Sequence, residues 1–138
     1  MTRDVLLAKL GSIQRCLHRI RKVTAGDATR VRDVDVQDIV VLNLQRAIQA
    51  AIDLAAHTIA THGWGLPDTL RKHFTILEQE RVIPSNLARR LEAMTGFRNI
   101  AINDYEAIDT AILGSIVTDR LGDLEEFADH IRRRETRD

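Results

Sequence analysis

The sequence predicts an all-α protein, an up-down bundle of four long helices and one short one. Three observations predict it. Apolar residues recur at spacings of three and four along most of the 138-residue chain. No segment sustains the apolar–polar alternation of a half-buried strand. Breakers at Gly26, at Gly63-Trp64-Gly65-Leu66-Pro67 and at Pro84 divide the chain into helix-length pieces. Internal repeats and low-complexity tracts are absent, and the length suits a single domain spanning residues 1–138.

The elements follow in order. Leu6, Leu10, Ile13, Leu17 and Ile20 form one seam on a first helix, which ends near Gly26. A second helix opens at Asp33 or Asp35, either of which suits an N-cap. Its seam is Val40, Leu44, Ala47, Ala51 and Leu54, widened by Ile48, Ile52 and Ile59, and it stops at Gly63. Asp68 or Thr69 caps a short third helix with Leu70, Phe74 and Leu77. Ser85 is the expected N-cap of a fourth, with Leu87, Leu91, Met94 and then Phe97 or Arg98. A long last helix carries Val117, Leu121, Leu124, Ala128 and Ile131. The seams of the first, second and last helices are wider than one small core needs, so dimerisation through one face is expected.

Composition narrows the function. Twenty basic and 20 acidic residues give zero net charge, so no uniform field attracts nucleic acid. Weak self-repulsion suits self-association or a partner. All the basic residues but Lys9, Lys22 and Lys72 are arginines, which suit bidentate phosphate contacts, although base composition explains the bias as well. Cys16 is the single cysteine, which excludes an intrachain disulfide and fits a reducing cytoplasm. No apolar run approaches the ~20 residues of a membrane span. The N-terminus carries Asp4 and no signal-peptide core.

Most candidate chemistry has a plain structural explanation. His18, His57, His62, His73 and His130 include no i, i+4 pair of the kind that binds zinc on one helix face, so no metal site is expected. Asp53 and His57 are i, i+4 and read as a hydrogen-bonded pair on or in the second helix. Gly63-Trp64-Gly65 is too short for a phosphate loop and reads as a turn. Arg132-Arg133-Arg134 reads as a solvated helix end, with RNA contact the less favoured role.

The exception is Gly96-Phe97-Arg98-Asn99-Ile100-Ala101-Ile102-Asn103-Asp104-Tyr105, which holds the chain's only tyrosine. A helix needs none of these polar groups for packing. On composition alone the segment also suits a helix end where Arg98 pairs with a carboxylate. Residues 98 and 103 point about 140° apart on an ideal helix. They converge only if the helix ends between them or if two chains contribute.

This segment, followed by Glu106-Ala107-Ile108-Asp109, resembles the signature of the HEPN superfamily, in particular the HepT toxins encoded beside minimal nucleotidyltransferases called MntA. That pattern is G-F-R-N-x-x-x-H-x-Y-x-x-x-D. Residues Leu44 to Asp53 with His57 resemble the family's second helix, and Leu66 to Arg71 with Phe74 and Leu77 its third. The similarity covers roughly residues 1–135.

The resemblance implies a homodimeric, metal-independent ribonuclease toxin with no cofactor, paired with an MntA-like nucleotidyltransferase antitoxin. It implies an RNA substrate, transfer RNA being a reasonable expectation. Arg98 corresponds to the family's catalytic arginine and Tyr105 to its AMP-accepting tyrosine; Asn99 and Asp104 are the supporting polar residues. The chain departs from the pattern at Asn103, which stands in the histidine position. A carboxamide carries no proton near neutral pH. The chain is therefore expected to be a strongly impaired nuclease. Two origins remain open for Asn103: deliberate replacement of a natural histidine, or natural loss of catalysis with binding retained. The alternative function is a non-catalytic module that docks a nucleotidyltransferase and presents nucleotide to it.

Overall fold

A computed structural model describes residues 3–136. Their helices are α1 (Arg3–Thr24), α2 (Val34–His62), α3 (Leu70–Gln79), α4 (Ser85–Asn103), α5 (Thr110–Asp119) and α6 (Leu121–Glu135). Two 3₁₀ turns, Ala28–Arg32 and Tyr105–Ala107, interrupt the connections, and there is no strand among the described residues.

Helix α2 is the axis of the bundle. It packs on α1, α3, α4 and α6. Val40, Leu44, Ala47, Ala51 and Leu54 are all buried, as are Ile48, Ile52 and Ile59. Alanines at 47, 50, 51 and 55 keep its buried faces narrow, so neighbouring helices approach closely. Its start is fixed by Asp33, whose carboxylate accepts from the backbone N–H groups of Asp35 and Val36. Its end is fixed by Gly63 at φ 67°, a left-handed C-cap that an L side chain strains to adopt. Thr69 caps α3 by accepting from the Lys72 N–H at 3.2 Å. Phe74 of α3 meets Phe127 of α6 edge to face, with centroids 5.6 Å apart.

Three expectations need correction. The last helix is two helices, broken at Arg120. The apolar spacing runs through the break, but the two pieces pack on different partners. Leu113 of α5 is buried where that helix meets the Ala28–Arg32 turn, whereas Leu121, Leu124, Phe127 and Ile131 of α6 enter the main core. Ser85 is not an N-cap. It is the first residue of α4 after a Pro84 cap with no side-chain bond, and its hydroxyl donates to Glu78 Oε2. Finally, α2 does pass a membrane-span test by length and composition, with an 18-residue window of mean hydropathy 1.3. Sixty-one per cent of that window is buried inside the bundle, which is how a core helix behaves.

Candidate active site at the end of helix α4

Helix α4 runs without interruption through Arg98 and ends at Asn103. One of the two routes to convergence is thereby closed within a single chain. Arg98 and Asn103 lie on one helix, about 140° apart in rotation and about 7.5 Å apart in rise. Arg98 shares the α4 face of Leu87, Leu91, Met94 and Ala101, all of them buried. It leaves the core at the open end of the bundle. Among the described residues its one hydrogen bond runs from Nη1 to the neighbouring Asn99 Oδ1 at 3.3 Å, and its buried Nε–H has no acceptor. Among the described residues, no carboxylate pairs with it as a purely structural role predicts. A guanidinium held partly out of water with an unspent donor suits an anion supplied from outside the chain.

Asn103 is exposed at the last helical position, on the same face of α4 as Ile100 and Ala93. Asp104 closes the helix through its backbone N–H, which donates to Ile100 O at 2.8 Å. Its side chain is exposed and makes no capping bond to the turn that follows. Asn99 is exposed next to Arg98.

Tyr105 opens the second 3₁₀ turn, 38% exposed, and its hydroxyl donates to Asp38 Oδ1 on α2. Partial burial, then the hydrogen bond and charge of Asp38, push its phenol up to about 12. Asp38 is the residue that the sequence alone does not reveal. It is 67 positions away, and an acid on the exposed face of a helix carries no local signal.

Beside this end lies an apolar hollow of about 440 Å³ between α4 and α5, floored by Met94 and Phe97 and rimmed by Ile100, Ile112 and Ile116. Ile100 and Ile112 are 44% and 56% exposed. Of α5 only Leu113 is fully buried, although Ile112, Ile116 and Val117 are apolar too.

Other candidates disperse. Asp53 does not pair with His57; it accepts from Lys9 Nζ of α1 and from Gln49 Nε2 one turn back on α2, each at 2.8 Å. Arg132 and Arg133 both fold back on Asp129, and Arg134 lies over the Trp64 ring, so this run is a helix end tied to its own molecule. His62 stacks on Trp64 at 4.5 Å and meets Glu135, while His73 bonds the Thr69 carbonyl. Among the described residues no three of His, Cys, Asp and Glu gather as a metal site would require.

The chain is similar to known proteins along nearly its whole length. The family described as ribonuclease HepT-like matches residues 13–131. A Shewanella oneidensis protein named mRNA nuclease HepT is 37% identical over 129 residues, 94% of this chain and 97% of that protein. A solved structure of the tri-AMPylated Shewanella oneidensis HEPN toxin in complex with MNT antitoxin has a TM-score of 0.89 at 38% identity. It covers 96% of this chain and 99% of that one. A crystal structure described as the toxin–antitoxin with AMP-PNP gives a TM-score of 0.90 at 37% identity, covering 95% and 99%.

Proposed function

Because this chain belongs to the HepT-like ribonuclease family, we propose that it is the RNA endonuclease toxin of a toxin–antitoxin pair, with a site completed by a second copy and impaired by Asn103. The observation that carries this reading is Arg98, which emerges from the core without a carboxylate partner and with a buried Nε–H unspent. The apolar hollow between α4 and α5 supports the second copy. Burying Ile100 and Ile112 against their counterparts removes exposed apolar surface and brings two α4 ends together.

In such a cleft an RNA 2′-hydroxyl attacks the adjacent phosphorus, the P–O5′ bond breaks and a cyclic phosphate forms. Arg98 donates to the non-bridging oxygens as charge builds on them. The hydroxyl proton leaves and a proton reaches the departing 5′-oxygen. In this reading both transfers fall to residue 103, and an amide does neither. General acid–base help is worth about 10²–10⁴-fold, and that factor is what Asn103 forfeits.

Restoring Asn103→His is expected to bring back RNA cleavage and growth arrest. Adding Arg98→Ala is expected to abolish both. If Asn103→His shows neither activity, the nuclease reading is overturned. The cleavage products also distinguish transfer RNA from the mRNA named for the Shewanella relative.

The partner is a minimal nucleotidyltransferase antitoxin that transfers AMP to Tyr105 in the cytoplasm. The phenolic oxygen attacks the α-phosphorus of ATP, pyrophosphate leaves, and Asp38 is within reach to take the proton. The attached phosphodiester brings bulk and negative charge to the RNA phosphate's place. Tyr105→Phe is expected to abolish the gain of one AMP mass on incubation with partner and ATP.

A second reading, a non-catalytic module that docks the nucleotidyltransferase, is favoured by Asn103 alone. It predicts that Arg98→Ala changes nothing in an Asn103→His background.

A further inference from the structure

Helix α1 carries six cationic side chains against one carboxylate, in a chain whose charges balance at 20 of each sign. Part of that excess faces a single groove between α1 and α2, about 550 Å³ in volume. Lys9, Arg15 and Arg19 line it from α1, and Arg46 lines it from α2. The one carboxylate in the lining, Asp53, is already held by Lys9. The three arginines have no acid in the groove to answer them; Arg15 touches only the Ser12 hydroxyl, at 3.5 Å. All three line the groove together with Cys16, whose thiol burial pushes up despite them. Like charges gathered without counterions repel, and a bound polyanion relieves the repulsion.

The floor adds a second requirement. Asn43 is 3% exposed; its Nδ2 donates to Ile39 O at 2.8 Å and its Oδ1 has no partner. Gln49 is alike: Nε2 donates to Asp53, and the buried Oε1 is left unpaired. A phosphate oxygen satisfies the arginines but offers nothing to two orphan carbonyls. What fits both is a strand with a negative charge and a hydroxyl donor on every unit.

From this arrangement we propose that the α1–α2 groove binds the RNA strand flanking the cleaved bond. Its arginines take phosphates, and Asn43 and Gln49, whose unpaired oxygens are closed to solvent in the free chain, turn to accept from 2′-hydroxyls. This rests on the ribonuclease reading above and gives that reading a second site. The placement suits the task. Asn43 is five residues along α2 from Asp38, the partner of Tyr105, which is a rise of about 7.5 Å and a turn of about 140°, so a strand leaving the groove wraps around α2 to reach that end. From there to Asp53 the groove follows α2 for about 15 Å, room for a few phosphates.

The test uses the chain as it stands, which is expected to bind with little cutting, and a labelled single-stranded RNA with a DNA of the same sequence. Binding is read by fluorescence anisotropy across a salt series. RNA is expected to bind more tightly than DNA. Replacing Arg15, Arg19 and Arg46 together by alanine is expected to weaken RNA binding more than about tenfold and to flatten the salt slope by about two, at roughly 0.7 per single-strand phosphate contact. The triple lysine variant is expected to keep most of the slope. Gln49→Met is expected to narrow the RNA–DNA difference and leave the slope unchanged. In the Asn103→His background the triple alanine variant raises KM with kcat nearly constant. RNA affinity untouched by the triple alanine variant, or loss of nucleotidyltransferase binding in place of RNA binding, overturns the groove while cleavage by Asn103→His still stands. No RNA binding by the parent together with no cleavage by Asn103→His removes the ribonuclease reading itself.

Discussion

Asp38 and Tyr105 make the most testable residue-scale contact. As the chain's only tyrosine, Tyr105 alone gives the phenolate absorbance signal. Asp38→Asn removes the charge and is expected to bring its pKa down from about 12 toward the ordinary 10.0, read by ultraviolet titration. The sign of the stability effect follows. A phenol whose folded pKa is raised holds its proton longer than in the unfolded chain. Its contribution is fully present below the ordinary value and fades as pH rises toward about 12. Alkaline unfolding is therefore expected to depend less steeply on pH between those two values in Asp38→Asn than in the parent. Arg98, Asn103 and Tyr105 stand out in the sequence because they fall within eight consecutive positions, and their expected roles come from the motif that this stretch resembles. Asp38 was not, because only folding carries α2 alongside the end of α4.

At the scale of elements, capping chemistry was readable and helix continuity was not. Asp33 and Thr69 each lie among the caps that the sequence offered, since a short polar side chain just ahead of an apolar stripe has one good use. Asp33→Ala is expected to cost about 1 kcal/mol in a denaturant melt, the usual loss at an N-cap. Gly63→Ala places a methyl at φ 67° and is expected to cost about 1 kcal/mol or more. The break at Arg120 escaped because Val117 and Leu121 keep a helical spacing across it. Spacing records which residues are apolar, not which neighbour each one meets. Leu113→Ala is expected to raise hydrogen exchange throughout α5 while α2 and α6 stay protected, because α5 has no other fully buried anchor.

For the whole molecule, one core and one uncovered face decide behaviour. Phe127→Ala is expected to lose about 3–5 kcal/mol, since its ring is fully buried against Phe74. Ile112→Asp leaves that core alone and charges the rim of the α4–α5 hollow. It is expected to give a stable monomer by sedimentation and, in the Asn103→His background, to lose RNA cleavage. A variant that stays dimeric would place the second copy elsewhere. The wide seams read from the sequence correspond in part to the α2 core, which needs apolar residues on most of its circumference, and in part to α5, where the excess stays exposed.

Periodicity and breakers alone determined that the chain is helical, where α2 begins and ends, and roughly where α1 ends and α3 and α4 begin, and composition marked the short segment that holds the unusual chemistry. These are properties of neighbours along the chain. Tertiary structure decided that α4 does not end before Asn103, that Arg98 meets no carboxylate, that Asp38 holds Tyr105, and that unpaired arginines face two buried carbonyls between α1 and α2. Each depends on the approach of groups far apart in sequence, which local spacing does not encode.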